Sequence, residues 1–145
     1  MDFMTALDIG ASGLSAERTS INIISMNLAN VNTTRTPEGG PYRRKSVQLV
    51  ATEVDSPFSK QMQTALDKEL RGVRVQNVAT DTRPFKMVYE PGHPDADADG
   101  MVKYPDINVV EEMVNLMTAQ RGYEANVTTM ETVKAMYNKA LEIGK

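Results

Sequence analysis

Three aspartates and a glycine, Asp95, Asp97, Asp99 and Gly100, stand within the stretch HPDADADGMVKYPD, residues 93–106. They fall on positions one, three, five and six of the twelve-residue calcium loop, where carboxylates gather round a hard cation and glycine permits a sharp turn. The chemistry on offer is therefore calcium binding, in a sensor or a metal-stapled module. The flanks argue against it. A loop of that type is entered and left by helices, yet Pro91 and Pro94 come before it and Pro105 occupies its eleventh position, where proline disfavours helix. Lys103 takes the ninth position, normally an oxygen ligand, and the twelfth is Asp106, shorter than the usual bidentate glutamate. The preferred reading is a solvated turn between the last strand and the second helix. Asp95, Asp97 and Asp99 stay as weak metal candidates, and no metal or other cofactor is expected.

Other chemistries find less support. His93 is the single histidine and there is no cysteine, which excludes a histidine metal cluster, thiolate zinc sites, disulfides and a cysteine nucleophile. The GASG stretch, residues 10–13, lacks the lysine and spacing of a phosphate loop, and its small residues suit the close approach of another helix or backbone. The basic run Arg43, Arg44, Lys45 reads as a solvated strand edge. Carboxylates are plentiful, but no pair is singled out for glycosidase work. A net charge of -3 over 145 residues gives no electrostatic reason to expect nucleic acid. The first residues carry Asp2 and Asp8 where a signal peptide wants positive charge. Neither a cleaved signal nor a membrane span is expected, and catalytic residues are expected to be none.

The elements that position these residues are helical at both ends and β-rich between. Leu7, Leu14, Ile21 and Leu28 recur every seven residues, with Phe3 and Ile24 in companion positions and a break at Glu17, so a long N-terminal helix carries one apolar stripe. Asn30 and Asn32 lead into TTRTPEGGP, whose glycines and prolines forbid its continuation. At the other end Val109, Met113, Leu116, Gln120, Tyr123, Val127, Met130, Lys134, Tyr137 and Leu141 step by four and three. That is a heptad seam with two polar interruptions. Asn108 can cap this helix, with Glu111 and Glu112 favourably placed in its first turn. Between the helices the period drops to two: Val47 and Leu49, Val73 and Val75, and Phe85, Met87 and Tyr89 are the same-face candidates. Residues 55–70 read either as a short helix or as a polar excursion. The expected fold class is α+β: long terminal helices pairing as an α-helical coiled coil, with a small β-rich middle. The expected organisation is residues 1–36, 37–107 and 108–145.

With these elements in place, the stretch SGLSAERTSINIISMNLANVNTTRT resembles the N-terminal signature of the flagellar rod, hook and hook-associated axial proteins. NVVEEMVNLMTAQRGYEANVTTMETVKAMYNKALEIG resembles their C-terminal helix. Finding both signatures at opposite chain ends is specific, and the short length is most similar to the proximal rod members. The residues that carry the motif are Ser15, Asn27, Leu28, Ala29, Asn30, Glu112, Met113, Arg121, Tyr123, Ala125 and Asn126. The resemblance implies a structural subunit of the basal-body rod that transmits torque from motor to hook. It would be exported through the flagellar type III apparatus without signal cleavage and assembled in the periplasm. Implied partners are copies of itself, other rod proteins and the export-gate adaptor at the rod base. The assembly interface would then run along Leu7, Leu14, Ile21, Ile24 and Leu28, and along Val109, Met113, Leu116, Tyr123, Val127, Met130, Tyr137 and Leu141. The alternatives are another flagellar axial component, a calcium-binding adaptor built on the acidic loop, or a wall-cleaving enzyme.

Overall fold

The computed structural model describes residues 3–53 and 70–143. The order is α1 (Phe3–Ala29), β1 (Lys45–Glu53), β2 (Arg71–Thr80), β3 (Lys86–Tyr89), β4 (Met101–Tyr104) and α2 (Val109–Ile143). The α+β class and the helical ends stand as expected. The ambiguous segment at 55–70 lies outside the described residues except for its last position.

Helix α1 has 27 residues, about 40 Å at 1.5 Å per residue, and it stops where asparagine takes over its carbonyls. Asn30 reaches the Met26 carbonyl twice, from its backbone N–H at 3.1 Å and from Nδ2 at 2.8 Å. These bonds satisfy an acceptor that the end of a helix leaves orphaned. Helix α2 has 35 residues, and its start is capped as the sequence implies. Asn108 Oδ1 accepts from the N–H groups of Val110 (3.1 Å) and Glu111 (3.4 Å), while the Asn108 carbonyl receives Glu112 N–H at 3.0 Å. Glu111 and Glu112 then sit at the positive end of the helix dipole.

Among the described residues the middle forms two separate two-stranded antiparallel sheets, β1–β2 and β3–β4. In the first, Lys45 pairs with Thr80 and Glu53 with Arg71, with a register shift between Gln48 and Leu49. The unpaired residue is Gln76 of β2, opposite the step from Gln48 to Leu49. Leu49, an inward candidate, is exposed, and Val73 is exposed although Val75, expected on the same face, is half-buried. In the second sheet Val88 pairs with Val102, and Val102 is completely buried. The inward residue of β3 is thus half-buried Val88, while Met87 and Tyr89 face out. The sequence reading had that strand one residue out of phase.

The acidic stretch is corrected too. It does not run straight to the second helix, because its second half is strand β4, which makes the loop the turn of a hairpin. Gly100 holds φ at +74°, and a Cβ there would come within 2.9 Å of the Tyr89 ring, so both backbone and space require glycine.

Among the described residues few side chains are fully enclosed. Ala16, Tyr42, Val102, Pro105 and Ala119 are the buried apolar ones, joined by two polar ones, Asn27 and Glu112. A centre this small, with polar groups at its heart, makes the helix pair and its junction with β1 the parts that decide the fold.

Candidate functional site

The two helices run antiparallel, and their contact is close because small residues line it. A Cβ added to Gly10 would meet Met130 Cγ at 2.9 Å, one on Gly13 would meet Asn126 Nδ2 at 2.9 Å, and one on Gly122 would meet Glu17 Oε1 at 2.9 Å. The GASG stretch therefore does what its small residues suggested. At the far end Phe3 stacks on Tyr137, ring centroids 4.3 Å apart. Glu17, where the apolar stripe breaks, lays its side chain over Gly122 instead of pointing away.

At the other end of the pair, α1, β1 and α2 meet in a closed polar network. Asn27, fully buried, uses all of its amide. Its Nδ2 donates to the Lys45 carbonyl (2.8 Å) and to Glu112 Oε2 (2.9 Å), while its Oδ1 accepts from the Tyr42 hydroxyl (3.0 Å) and Lys45 N–H (2.9 Å). Glu112, 1% exposed, receives Arg44 Nε at 2.8 Å and Nη2 at 2.6 Å on its Oε1. Among the described residues no buried side-chain nitrogen or oxygen lacks a partner. That matters because an unsatisfied polar group in low dielectric is costly. Burial first, and the Glu112 carboxylate second, hold the Tyr42 phenol above its usual range, which keeps it a donor to Asn27.

The basic run is consequently not a solvated edge. Arg44 anchors Glu112. Arg43 stacks its guanidinium over Phe85 at 4.3 Å and donates to the carbonyls of Asp81 and Arg83. Arg44 joins the start of β1 to α2, and Arg43 ties it to the segment between β2 and β3. Arg83 in turn bonds Asp81 at 2.6 Å and reaches Asp106 at 3.2 Å. These bonds hold the Asp81 carboxyl below its ordinary range, the Arg83 backbone N–H first and its side chain second.

The proposed interface residues divide into two groups. Leu7, Leu14, Ile21, Ile24 and Leu28 on α1 are half-buried, as are Leu116, Val127 and Met130 on α2. Val109, Met113, Tyr123, Tyr137 and Leu141 are exposed. Within the chain, the row that accompanies Leu116 and Met130 towards α1 is Glu112, Ala119, Asn126 and Val133, each buried or half-buried. It lies one residue N-terminal to Met113, Gln120, Val127 and Lys134 of the expected row. The physical reason is the closeness of the helices: a count of large apolar residues passes over the small and polar ones that a tight contact selects. Of the motif residues, Asn27, Glu112 and Asn126 make inward contacts, Asn30 bonds the Met26 carbonyl of its own helix, and Leu28 is half-buried. Ser15, Ala29, Met113, Arg121, Tyr123 and Ala125 are exposed. Ser15 and Tyr123 come together with Leu14 and Arg18 along one open groove between the helices.

The acidic loop spends its carboxylates on its own backbone and on a neighbour. Asp97 Oδ1 accepts from the N–H groups of Asp99 (3.1 Å) and Met101 (2.9 Å), Asp95 Oδ2 accepts from Thr34 Oγ1 at 2.8 Å, and His93 Nδ1 accepts Asp95 N–H at 3.1 Å. Among the described residues no group of three His, Cys, Asp or Glu side chains is placed to hold a metal. No helix among them is long and apolar enough to cross a membrane.

Two family models match the ends of the chain. Residues 7–35 match "Flagella basal body rod protein", and residues 98–143 match "Flagellar basal body rod FlgEFG protein C-terminal". Helical ends joined antiparallel across a small strand region thus define a protein of the flagellar rod class. The match to curated relatives runs along nearly the whole chain. It is 41% identical to the flagellar basal-body rod protein FlgC of Borreliella burgdorferi, covering 99% of this chain and 98% of that one. It is 41% identical to FlgC of Bacillus subtilis, covering 97% of each, and 40% identical to FlgC of Salmonella typhimurium over the full length of both. The chain belongs to the FlgC family of flagellar basal-body rod proteins.

Proposed function

We propose that this chain is a structural subunit of the proximal flagellar rod, passing torque from motor towards hook through packed contacts with its own copies and with other rod proteins. The observation that carries the reading is an apolar row on α2 that the chain itself leaves open. Val110, Met113, Val114 and Met117 follow helical spacing, and each is more than half exposed. Apolar surface of this kind marks a protein contact, and methionines adapt to irregular partner surfaces. Membership in the FlgC family supplies the assembly in which such a row would be covered. In that assembly the terminal helices would pair as a coiled coil around the rod interior, with the strand region outside. The subunit would reach the periplasm through the type III apparatus without a cleaved signal, and at the rod base it would meet the export-gate adaptor. The function is mechanical and assigns no step to a catalytic residue.

The test separates assembly from folding. Val114→Asp or Met117→Asp places a charge on the open row, away from the residues that touch α1. Export into the periplasm is checked first by immunoblot, because an export defect would imitate an assembly defect. The expected outcome is exported subunit, no completed rod by electron microscopy of basal bodies, and no swimming. Asp99→Ala in the acidic loop should swim normally. Exported row variants that still build rods and swim would refute the assignment of this surface to assembly.

A further inference from the structure

We propose that Asn27, Arg44 and Glu112 form a register lock, which selects one alignment of α1 against α2 from alignments that packing alone would tolerate. This goes beyond the rod role and stands on contacts inside one chain.

The contact between the helices offers little else to fix their sliding position. Its observed pairs are Phe3 with Tyr137, Gly10 with Met130, Gly13 with Asn126 and Glu17 with Gly122. A slide of one heptad, about 10 Å at 1.5 Å per residue, repeats the same helical faces. It would set Phe3 against Met130, Gly10 against Tyr123, Gly13 against Ala119 and Glu17 against Asn115. Apolar then meets apolar at Phe3, glycine again faces one large side chain at Gly10, small meets small at Gly13, and Glu17 still meets a polar partner. The larger loss is at the polar end. Glu112 would move opposite Ser20, losing both bonds from Arg44 and the bond from Asn27, and Asn27 would lose the partner of one amide hydrogen.

A carboxylate buried to 1% exposure and separated from its cation is heavily penalised, so the largest share of the discrimination falls on these three residues. A single buried polar position is known to set register in paired helices. Here the polar group is tied to a third element as well. Arg44 stands immediately before β1, and the Lys45 backbone holds Asn27 from the same segment. The position of β1 therefore dictates where α2 must stop.

The chain has no cysteine of its own, so engineered pairs report the register directly. Glu17→Cys with Gly122→Cys links the native alignment, and Glu17→Cys with Asn115→Cys links the slid one. Each pair is placed in the full chain with the network intact and in a chain carrying Asn27→Leu, Arg44→Met and Glu112→Leu. Disulfides are then identified by mass spectrometry of linked peptides. With the network intact, the native link should dominate. In the triple variant helicity should persist while the slid link rises by about tenfold relative to the native one. A triple variant that keeps only the native link overturns the proposal, since packing would then set the register. One that loses helicity and both links also overturns it, since the network would be holding the helices together without choosing their alignment. Arg44→Met with Glu112→Gln retains a neutral hydrogen bond to Asn27 and should suppress the slid link again. Failure of that rescue would leave Asn27 without a part in the lock and refute the three-residue form.

Discussion

Replacing Arg44 by methionine removes the cation from the buried junction while keeping a long apolar stem, so the consequence can be worked from the bonds described. Glu112 would lose two charge-assisted bonds, at 2.8 and 2.6 Å, and keep only the 2.9 Å bond from Asn27. Breaking a buried ion pair on one side costs about 3–5 kcal/mol. The arginine side chain is 23% exposed, so water can reach the vacated side and lower that figure to about 2–3 kcal/mol. With a urea slope of about 2 kcal/mol per molar, the unfolding midpoint should fall by roughly 1–1.5 M. Urea titration of the full chain by circular dichroism measures it. The second arm adds Glu112→Leu to Arg44→Met, removing the stranded charge. That double variant should recover more than half of the loss, the remainder reflecting an Asn27 amide hydrogen left without its acceptor. A single variant within about 0.5 kcal/mol of the parent chain, or a double variant less stable than the single, would show that the carboxylate is not confined as the structure has it.

At the helix contact, Gly13→Leu should destabilise by about 1–3 kcal/mol, because even a Cβ would stand 2.9 Å from Asn126 Nδ2; thermal unfolding measures this, and an unchanged midpoint would contradict the close approach. Calorimetric titration with calcium should give no saturable micromolar binding, since Asp97 Oδ1 is committed to two backbone N–H groups and Asp95 to Thr34; binding that vanishes in Asp97→Ala would overturn this. The Asp81 carboxyl, held low first by the Arg83 backbone N–H and then by its side chain, should titrate below its ordinary range by NMR and rise only part of the way back in Arg83→Met, which keeps the backbone bond. A depressed folded-state value means that the Asp81 contribution is present above the unfolded carboxylate range and is lost as pH falls through the folded one. An Asp81 titration unmoved by Arg83→Met would refute the assignment.

The parts of this fold legible in the sequence were those written in local chemistry. Seven-residue spacing marked α1, Asn108 with its two glutamates marked the start of α2, and the turn residues after Asn30 marked the end of α1. What escaped was decided by residues distant in the chain. Arg44 reads as a solvated strand-edge residue, and Tyr42 has no role, until Glu112 and Asn27 are brought beside them, 68 and 15 positions away. Strand β4 is only four residues long and follows an acidic turn, so its pairing with β3 left no run long enough to show a period. In β1 Leu49 is exposed while Val47, two residues earlier, is half-buried, a difference that alternation alone does not show. The tight helix contact put Ala119 where an apolar count favoured Gln120 and its heptad neighbours. The acidic loop looked most like a functional motif, and it proved to be a hairpin turn stabilised by its own aspartate.

The stacking of Phe3 on Tyr137 places the outer ends of both helices side by side, and this fixes how the pair fails under load. Tension applied at those two ends peels the helices apart like a zip, loading one contact at a time, whereas tension applied across opposite ends would shear every contact at once. Peeling would first meet the aromatic stack and then a run of contacts made by small residues, each offering little resistance. The charge-assisted bonds of Arg44 and Glu112 lie at the closed end and are strained last. In a pulling experiment on the single chain, the rupture force should therefore be low at first and peak late, near the full unravelling of the helix contact. The chain would yield gradually from its open end while the junction with β1 stayed shut.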